Sequence, residues 1–370
     1  MNIQCRDSCL LDNQSSLENL IEFKKFPIFM GCVDTSISED IFFDQVWGVS
    51  DNGLIQLKNL IDPNLLYKNS HTPGSVGETW KKHHKKFFNF IKENSDDIEE
   101  YLEIGGASGS LWNNFSLSDE DFKYHIIEPS DQKSSDTRLN YIKGFYEEQK
   151  FDKKYKCIIH SHVFEHVYNP LEFLKKISKD LQSDGIQFIS IPNMRYWLSK
   201  GYTNTINFEH TFYVDEFVIE HLLQSTGFCI SKKIVDEHSI FIKAIKSESD
   251  NIIDFNFSYI KPLFLKYINL LDSDVKEVSK KIKDKNVYLF GAHVFSQTLL
   301  NFGLEENSII SILDNDLKKQ GKRLYGTNIF IESPKILKDV DHPIVILRSG
   351  IYNTEIENQL RSINPTVKII

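Results

Sequence analysis

The chain has 370 residues, of which 41% are hydrophobic and 26% are charged, and its formal net charge is −9. This composition is typical of a folded globular protein of two or three domains. The acidic balance argues against a nucleic acid polymer as partner, because a phosphate backbone is usually met by a basic surface. The sequence has neither an apolar run long enough to cross a bilayer nor a signal peptide. We therefore expect no membrane partner and a cytoplasmic location.

Residues 1–80 show little hydrophobic periodicity and are predicted to form a small, irregular N-terminal domain. This segment contains Cys5, Cys9 and Cys32. A structural zinc site needs four Cys or His ligands, usually in two close pairs. Three residues separate Cys5 from Cys9, and Cys32 stands alone. We therefore expect no zinc and no other bound metal, and we interpret the cysteines as small buried apolar residues.

Residues 81–247 alternate strand and helix patterns, which predicts a mostly parallel α/β sheet. A long amphipathic helix is predicted to lead into this segment, from Val76 to about Asn94. A helix stop at Gly227 is expected to lead into a late strand. The other predicted strands are Glu100–Ile104, Tyr124–Glu128, Cys157–His160, Gly185–Ile191 and Phe241–Ile245, and the other predicted helices are Pro170–Leu181 and Asp215–Ser225.

Residues 248–370 restart the α/β pattern and are predicted to form a second, smaller Rossmann-like domain. Residues 251–284 are expected to be mostly helical. A strand then runs into a glycine turn at Gly291, and His293 stands where a dinucleotide fingerprint would carry its second glycine. The other predicted elements are a helix at His293–Phe302 and strands at Ile309–Asp314 and Ile344–Arg348.

The most informative stretch is residues 101–109, a predicted strand that ends in Glu103 and a glycine-rich turn before a helix. Gly105, Gly106 and Gly109 carry no Cβ, so the backbone can approach a nucleotide-like ligand closely. Ala107 and Ser110 stand where a dinucleotide fingerprint needs glycine, and no Lys-Ser/Thr pair follows to make a P-loop. The remaining pattern is Glu-x-Gly-x-x-x-Gly.

Two further groups follow neighbouring predicted strands. Glu128 ends the strand after the glycine turn, where an ionised carboxylate can accept hydrogen bonds from both ribose hydroxyls. The third group is residues 161–170, Ser-His-Val-Phe-Glu-His-Val-Tyr-Asn-Pro, after the next strand. Because the carboxyl ends of parallel strands form one edge of a sheet, we expect the three groups to meet there.

Together these motifs resemble the class I S-adenosylmethionine (SAM) methyltransferases. The resemblance implies SAM as cofactor, with the glycine turn near its methionine end and Glu128 on its ribose. Gly144 and Phe145 correspond to the adenine-contacting loop of the family. His166 is interpreted as a structural histidine that holds its loop. The cofactor-binding residues implied are Glu103, Gly105, Gly106, Ala107, Gly109, Glu128, Pro129, Gly144, Phe145, His160, His162 and Phe164.

The three-part layout further resembles the C-methyltransferases that modify nucleotide-linked deoxy-ketosugars, which have a zinc-binding N-terminal domain, a SAM domain and a C-terminal Rossmann-like domain. The stretches that carry this resemblance are Cys5–Cys9, Gly53–Leu57 with Asp62-Pro63, Phe208–Tyr213, and Gly291-Ala292 through Asp314, Asp316, Gln320–Lys322 and Gly326. It implies a (nucleotide-)sugar acceptor near Glu209 and His210, with His210 as catalytic base.

A histidine base is also chemically reasonable. Methyl transfer needs an electron-rich acceptor, and a histidine with a near-neutral pKa can remove a C–H proton beside a keto group or a hydroxyl proton. A carboxylate or phenol partner would orient its ring, and Glu209, Tyr213 and Glu237 are the candidates. The predicted catalytic residues are therefore His210, Glu209 and Tyr213.

The acceptor side departs from the sugar C-methyltransferase pattern. Ser70, His71 and Thr72 stand where that family carries tyrosines, so an O-methyltransferase acting on a sugar or on a small acid attached to one remains an alternative. Tyr67, His71, His83 and His84 could contribute to the acceptor pocket. A silent binding or scaffold protein on the same fold is the alternative of another class. The incomplete glycine fingerprints disfavour an NAD-dependent dehydrogenase.

Overall fold

The structure is a computed structural model that describes residues 3–12, 14–67, 77–96, 98–118, 121–247 and 256–370. Ser70, His71 and Thr72 lie outside the described residues, as do the predicted helix positions 76 and 251–255. Within the described part of the chain, no helix combines the length and apolar character needed to cross a membrane.

The N-terminal part is an antiparallel β structure. Its central sheet has the order β2-β4-β5, and β1 pairs with β6. This order was missed because two irregularities in the β2–β4 register, between Asn19 and Ile21 and between Phe23 and Phe26, interrupt the alternation of buried and exposed residues. The elements are β1 (Ile3–Cys5), β2 (Leu17–Pro27), β3 (Cys32–Val33), β4 (Phe42–Ser50), β5 (Ile55–Leu57), β6 (Asn59–Ile61) and α1 (Pro63–Leu66).

The central part contains a seven-stranded sheet of order β12-β13-β11-β10-β7-β8-β9. Strands β7 to β11 are parallel, whereas β13 is antiparallel to both β11 and β12. The predicted α/β fold is confirmed. The elements are α2 (Glu78–Glu93), β7 (Glu100–Ile104), α3 (Trp112–Phe115), β8 (Lys123–Glu128), β9 (Leu139–Lys143), β10 (Tyr155–Ser161), α4 (Pro170–Asp180), β11 (Leu181–Pro192), α5 (Met194–Lys200), α6 (Glu216–Gln224), β12 (Phe228–Val235) and β13 (Ser239–Lys246).

The chain order reverses between β7 and β10, since β8 and β9 lie on one side of β7 while β10 and β11 lie on the other. Such a switch point leaves a crevice at the carboxyl ends of the strands, where doubly wound sheets bind their ligands. The strands beside it are buried on both faces: Leu102, Ile158 and Ile189 belong to one hydrophobic cluster, and Tyr101, Ile159 and Phe188 belong to another. The crevice therefore opens from a rigid base.

The C-terminal part adds a parallel five-stranded sheet of order β17-β15-β14-β18-β19. The N-terminal β3 pairs with β16 of this part, in the register Arg323↔Val33 and Leu324↔Cys32. This pairing joins the N-terminal part of the chain to the C-terminal part. The elements are α7 (Ile260–Ile282), β14 (Val287–Phe290), α8 (Val294–Asn301), β15 (Ile309–Leu313), β16 (Arg323–Leu324), β17 (Ile331–Glu332), β18 (Ile344–Leu347), α9 (Asn353–Ile363) and β19 (Lys368–Ile369).

Candidate active site

A cavity of about 1040 Å³ opens at the carboxyl ends of β7, β8 and β10 and extends to the glycine turn after β14. The central and C-terminal parts therefore share one site. Residues that line it include Tyr67, Trp80, His84, Glu103, Gly105, Gly106, Ala107, Glu128, Pro129, Gly144, Phe145, His162, Glu165, His166, Glu209, His210, Gly291, His293 and Asp314.

The turn after β7 depends on glycine at two points. Gly105 has φ +70°, and a Cβ there would lie 2.5 Å from Val163 Cγ2. A Cβ on Gly106 would lie 2.8 Å from the carboxyl carbon of Glu103. Ala107 adopts φ +46°, which is uncommon for a residue with a side chain. The backbone thus reaches the cavity surface as predicted, while Gly109 lies outside the residues that line it.

Two carboxylates flank this turn. Glu103 is 3% exposed and accepts a hydrogen bond from the Tyr124 hydroxyl at 2.9 Å. Desolvation raises the pKa of Glu103 to about 7. Glu128 accepts the Ala107 N–H at 3.0 Å through Oε2 and the Ser130 hydroxyl at 2.8 Å through Oε1. Glu128 is therefore held at the cavity wall by the turn itself.

The loop after β9 lies next to Glu128. The N–H of Gly144 donates to the backbone carbonyl of Glu128 at 3.1 Å, and Gly144 has φ +122°. Gly144, Phe145 and Pro129 all line the cavity, beside Glu128. These residues therefore form one part of the cavity wall, although the strand that supports it, β9, was not predicted.

The segment after β10 contributes fewer of its predicted residues. His162 lines the cavity, whereas His160 and Phe164 lie outside the lining. Both are fully buried, and their rings pack against Phe173 with centroids 5.6 and 6.1 Å away. Burial lowers the pKa of His160 to about 4. The structure therefore places these two residues in the core, outside the cavity lining.

The predicted base has a fixed orientation. His210 Nδ1 lies 2.7 Å from the carbonyl oxygen of Thr205, and a carbonyl can only accept, so Nδ1 carries the proton and Nε2 keeps its lone pair. Desolvation lowers the pKa of His210, which is 8% exposed. The Asn207 side-chain oxygen accepts the N–H groups of Glu209 and His210 at 2.7 and 2.9 Å, which fixes this loop.

Three acidic and aromatic groups surround His166. Tyr67 hydrogen-bonds with its Nδ1 at 3.0 Å, and Glu209 Oε2 lies 3.6 Å from the same atom. Glu165 Oε1 lies 3.7 Å from its Nε2, and the ring centroid of His166 is 5.3 Å from that of His210. The sequence interpretation assigned His166 a structural role, but it lines the cavity beside the predicted base.

Glu165 was not singled out from the sequence. Its carboxyl group is 1% exposed, and its two oxygens have no hydrogen-bond partner among the described residues. Burial raises the pKa of Glu165 to about 8. In the sequence, the Val-Phe-Glu-His pattern indicated only a histidine in a loop. It could not indicate that the glutamate is buried, because this burial depends on the packing of distant segments.

The remaining candidates lie elsewhere. Tyr213 is buried, and its hydroxyl donates to Asp215 at 3.0 Å, outside the cavity lining. Glu237 is exposed and also lies outside the lining. Of the N-terminal cysteines, Cys5 is exposed and Cys9 is buried. Cys32 Sγ lies 3.6 Å from the carbonyl oxygen of Ala292, and burial raises its thiol pKa to about 12.

The C-terminal glycine turn resembles the first one in its geometry. Gly291 has φ +103°, and the Ala292 N–H donates to Asp314 Oδ2 at 2.9 Å. The Lys319 ammonium lies 3.1 Å from the same carboxylate oxygen. Ala292 and Asp314 thus repeat the arrangement of Ala107 and Glu128 at the opposite end of the shared cavity.

Comparison with known families identifies two segments of the chain. Residues 77–232 match the methyltransferase domain family, and residues 263–367 match the C-methyltransferase C-terminal domain family. Residues 77–232 are a class I SAM-dependent methyltransferase domain. The predicted enzyme class and cofactor are thereby confirmed for this domain.

Individual relatives are more distant. Two ubiquinone biosynthesis O-methyltransferases from Rickettsia bellii are each 32% identical over 115 residues, which cover 28% of this chain and 47% of theirs. The chain therefore spans about half the length of the curated relatives it matches.

Similar solved structures include two methyltransferases. A Burkholderia thailandensis 1,6-didemethyltoxoflavin-N1-methyltransferase has 13% identity and a TM-score of 0.43, covering 55% of this chain and 96% of that one. A SAM-dependent methyltransferase from Clostridium acetobutylicum has 14% identity and a TM-score of 0.36, covering 44% and 92%.

Proposed function

We propose that this protein transfers the methyl group of SAM to a carbon beside the keto group of a nucleotide-linked sugar. The observation that carries the proposal is the shared cavity, which places the SAM-type turn, His210 and the C-terminal glycine turn around one space. The match of residues 263–367 to a C-methyltransferase C-terminal domain supports carbon as the methylated atom.

Glu128 would accept hydrogen bonds from the ribose hydroxyls of SAM, and Gly144 and Phe145 would hold its adenine. The Gly105–Ala107 turn would hold its methionine end, where Glu103 is available to the ammonium group once ionised. The part of the cavity that contains Glu209 and His210 is then left for the acceptor.

His210 is the base. Its Nε2 removes the proton from the carbon next to the keto group, and the electron pair of that C–H bond forms an enolate. SAM would supply the methyl group to this carbon, so that a C–C bond replaces the C–S bond and S-adenosylhomocysteine leaves with the electron pair of the broken bond. Desolvation keeps His210 unprotonated near neutral pH, as this step requires.

The C-terminal turn contacts the nucleotide part of the acceptor. Backbone N–H groups at a helix start and the ammonium of Lys319 suit a diphosphate, and Asp314 can accept from a ribose hydroxyl as Glu128 does. The sugar would then lie between the two turns, next to His210.

Calorimetry with SAM and S-adenosylhomocysteine tests the cofactor half of the proposal. A nucleoside-diphosphate 4-keto-6-deoxysugar in D₂O, with S-adenosylhomocysteine bound, tests the acceptor half: His210 should catalyse exchange of deuterium into the carbon beside the ketone. SAM binding without exchange or methylation of any ketosugar would contradict the acceptor assignment. No binding of either cofactor form would favour the scaffold alternative.

The O-methyltransferase alternative is favoured by one observation, the local similarity to ubiquinone biosynthesis O-methyltransferases. In that case His210 would remove a hydroxyl proton, and the product would be a methyl ether instead of a C–CH₃ branch. Nuclear magnetic resonance of the product separates the two, because an O-methyl group and a C-methyl group have different carbon shifts.

A further inference from the structure

Three histidines from different elements converge on one hydroxyl beside the cavity. His83 lies on α2, His162 follows β10, and His238 precedes β13. The Oγ of Ser239 lies 3.2 Å from His83 Nδ1, 2.8 Å from His162 Nε2 and 2.6 Å from His238 Nδ1. One nitrogen from each of these three histidines, here named the histidine cluster, lies within 4.8 Å of the other two.

The cluster is buried and neutral. His83 and His238 are 4% and 7% exposed, and the His162 side chain is 11% exposed. Desolvation lowers the pKa of all three histidines, that of His238 to about 4. At neutral pH each imidazole therefore carries a lone pair, which is the form that binds a metal ion.

The outer nitrogens of two of the histidines have partners of the kind that orient metal ligands. His83 Nε2 lies 3.2 Å from the Ser161 hydroxyl, and His162 Nδ1 lies 3.5 Å from Glu165 Oε1. Histidines that bind metals usually contact a carboxylate, carbonyl or hydroxyl group through the other ring nitrogen, and this contact orients the ring.

The backbone of His162 is held in an unfavourable conformation. Its φ is +52°, a left-handed value that is unfavourable for a residue with a side chain. Its N–H donates a hydrogen bond to the Ser190 carbonyl at 2.8 Å. In this conformation its ring contacts the rings of His83 and His238, with centroid distances of 5.0 and 5.3 Å.

We propose that His83, His162 and His238 bind a divalent transition metal ion of the zinc type, with the Ser239 hydroxyl or a water molecule as fourth ligand. Three neutral nitrogens and one oxygen suit tetrahedral Zn²⁺. Such an ion holds its ligand atoms about 3.4 Å apart, so binding requires side-chain shifts of roughly an ångström. The metal ties α2, the loop after β10 and the β12–β13 connection together.

Trp80 connects the site to the cavity. Its ring centroid lies 5.0 Å from those of His83, His162 and His238, and it also lines the cavity. The metal thus fixes the wall of the active site without contacting the reacting atoms. Another group of possible ligands, Glu165, His166 and His210, lies nearby but belongs to the proposed acceptor site.

The test uses full-length protein without a histidine tag, stripped with chelator and then titrated with Zn²⁺ or with Co²⁺ as a spectroscopic probe. We expect one ion per chain, visible absorption typical of tetrahedral Co²⁺, and an X-ray absorption spectrum with imidazole and oxygen neighbours. These measurements on the unmodified chain need no variant to fold. Sulfur neighbours, or no ion bound, would overturn the assignment.

Matched variants then locate the ion. His83→Gln and His238→Gln should weaken binding by more than about 100-fold, and Ser161→Ala by about 10- to 100-fold, because that hydroxyl only orients His83. His342→Gln is the control, since that side chain is 74% exposed. Unchanged affinity in both cluster variants, or loss in His166→Gln instead, would reject the cluster as the site.

Discussion

The Nδ1–H of His210 donates to the backbone carbonyl of Thr205 at 2.7 Å. A backbone carbonyl can only accept a hydrogen bond, so the ring must carry its proton on Nδ1. This one contact therefore fixes both the ring orientation and the location of the lone pair on Nε2. No carboxylate is needed to orient the ring. The sequence suggested Glu209, Tyr213 or Glu237 as the orienting partner, but the partner in the structure is a main-chain carbonyl oxygen. The proposed base is therefore oriented by the loop that carries it.

Replacing His210 by glutamine should lower turnover by about 10²- to 10⁴-fold, the usual contribution of a general base. The amide can still hydrogen-bond to Thr205 but cannot take the proton. The affinity for SAM, measured by calorimetry, should stay within a factor of about two to three, because Glu128 and the glycine turn are intact. Loss of turnover without loss of SAM binding separates the chemical role from a folding defect.

The control for this substitution is His342→Gln, a change at a histidine that is 74% exposed and far from the cavity lining. It should leave turnover unchanged. If His210→Gln also kept full turnover with its native melting temperature, the base would have to be another cavity residue, and His166 would be the first to test.

The pH dependence of turnover should reflect the low pKa of His210. Desolvation lowers this pKa below its ordinary value of 6.5. A base acts in its unprotonated form, so activity should rise with pH along a limb whose midpoint lies below pH 6.5. The rate should be measured against pH at saturating SAM. Burial raises the pKa of Glu103 to about 7 in the cofactor-free protein, so at lower SAM concentrations cofactor binding would add its own pH dependence. A limb centred above pH 6.5 would contradict a desolvated His210 as base.

Much of the cofactor side could be predicted from the sequence. Strands β7, β8 and β10 are short apolar runs followed by a glycine turn, a glutamate and a polar loop, and their order along the chain determines that these ends meet. His160, on β10, does not line the cavity, and the sequence could not have indicated this. Strand β10 is buried on both faces, so alternation does not indicate which residues reach the cavity.

The histidine cluster and Glu165 could not be predicted. His83 and Ser239 are separated by 156 residues, and their contact exists only because α2 packs on the sheet beside β13. Histidines 83 and 84 were noted only as possible members of the acceptor pocket, and His84 does line it. Long-range packing of this kind leaves no local periodicity or spacing in the sequence.

Glu128→Gln should weaken SAM binding by about 10- to 100-fold, since hydrogen bonds to a charged group contribute about 1.5–3 kcal/mol. The carboxylate accepts the Ala107 N–H and is the proposed acceptor for the ribose. Calorimetry gives the affinity. Asp131→Asn is the control, because that side chain is 80% exposed and outside the cavity lining. Equal affinities in the two variants would exclude Glu128 from the cofactor site.

Asp314→Asn should separate the two ends of the cavity. This residue accepts the Ala292 N–H as Glu128 accepts that of Ala107, but it lies at the proposed nucleotide end of the acceptor site. We expect a higher KM for the nucleotide sugar and unchanged SAM affinity. An unchanged KM would limit the C-terminal turn to a structural role, and a loss of SAM affinity would place the cofactor differently.

The final prediction concerns the join between the two ends of the chain. Arg323 and Asp40 form a bidentate ion pair at 2.6 and 2.7 Å, and their side chains are only 5% and 0% exposed. The same carboxylate also accepts the Gly326 N–H at 2.7 Å. Removing one partner of a buried pair leaves the other charge uncompensated, which typically destabilises a protein by about 3–5 kcal/mol.

Asp40→Asn should therefore lower the melting temperature by several degrees, since about 1 kcal/mol corresponds to roughly 2–4 °C in domains of this size. The matched control is Asp272→Asn, which breaks an exposed pair with Lys276 of the kind that contributes only about 0.3–0.5 kcal/mol. Differential scanning calorimetry compares the two variants. If both melted at the same temperature, the Arg323–Asp40 pair would not hold β3 against β16, and the strand pairing and surrounding apolar contacts alone would join the N-terminal sheet to the C-terminal part.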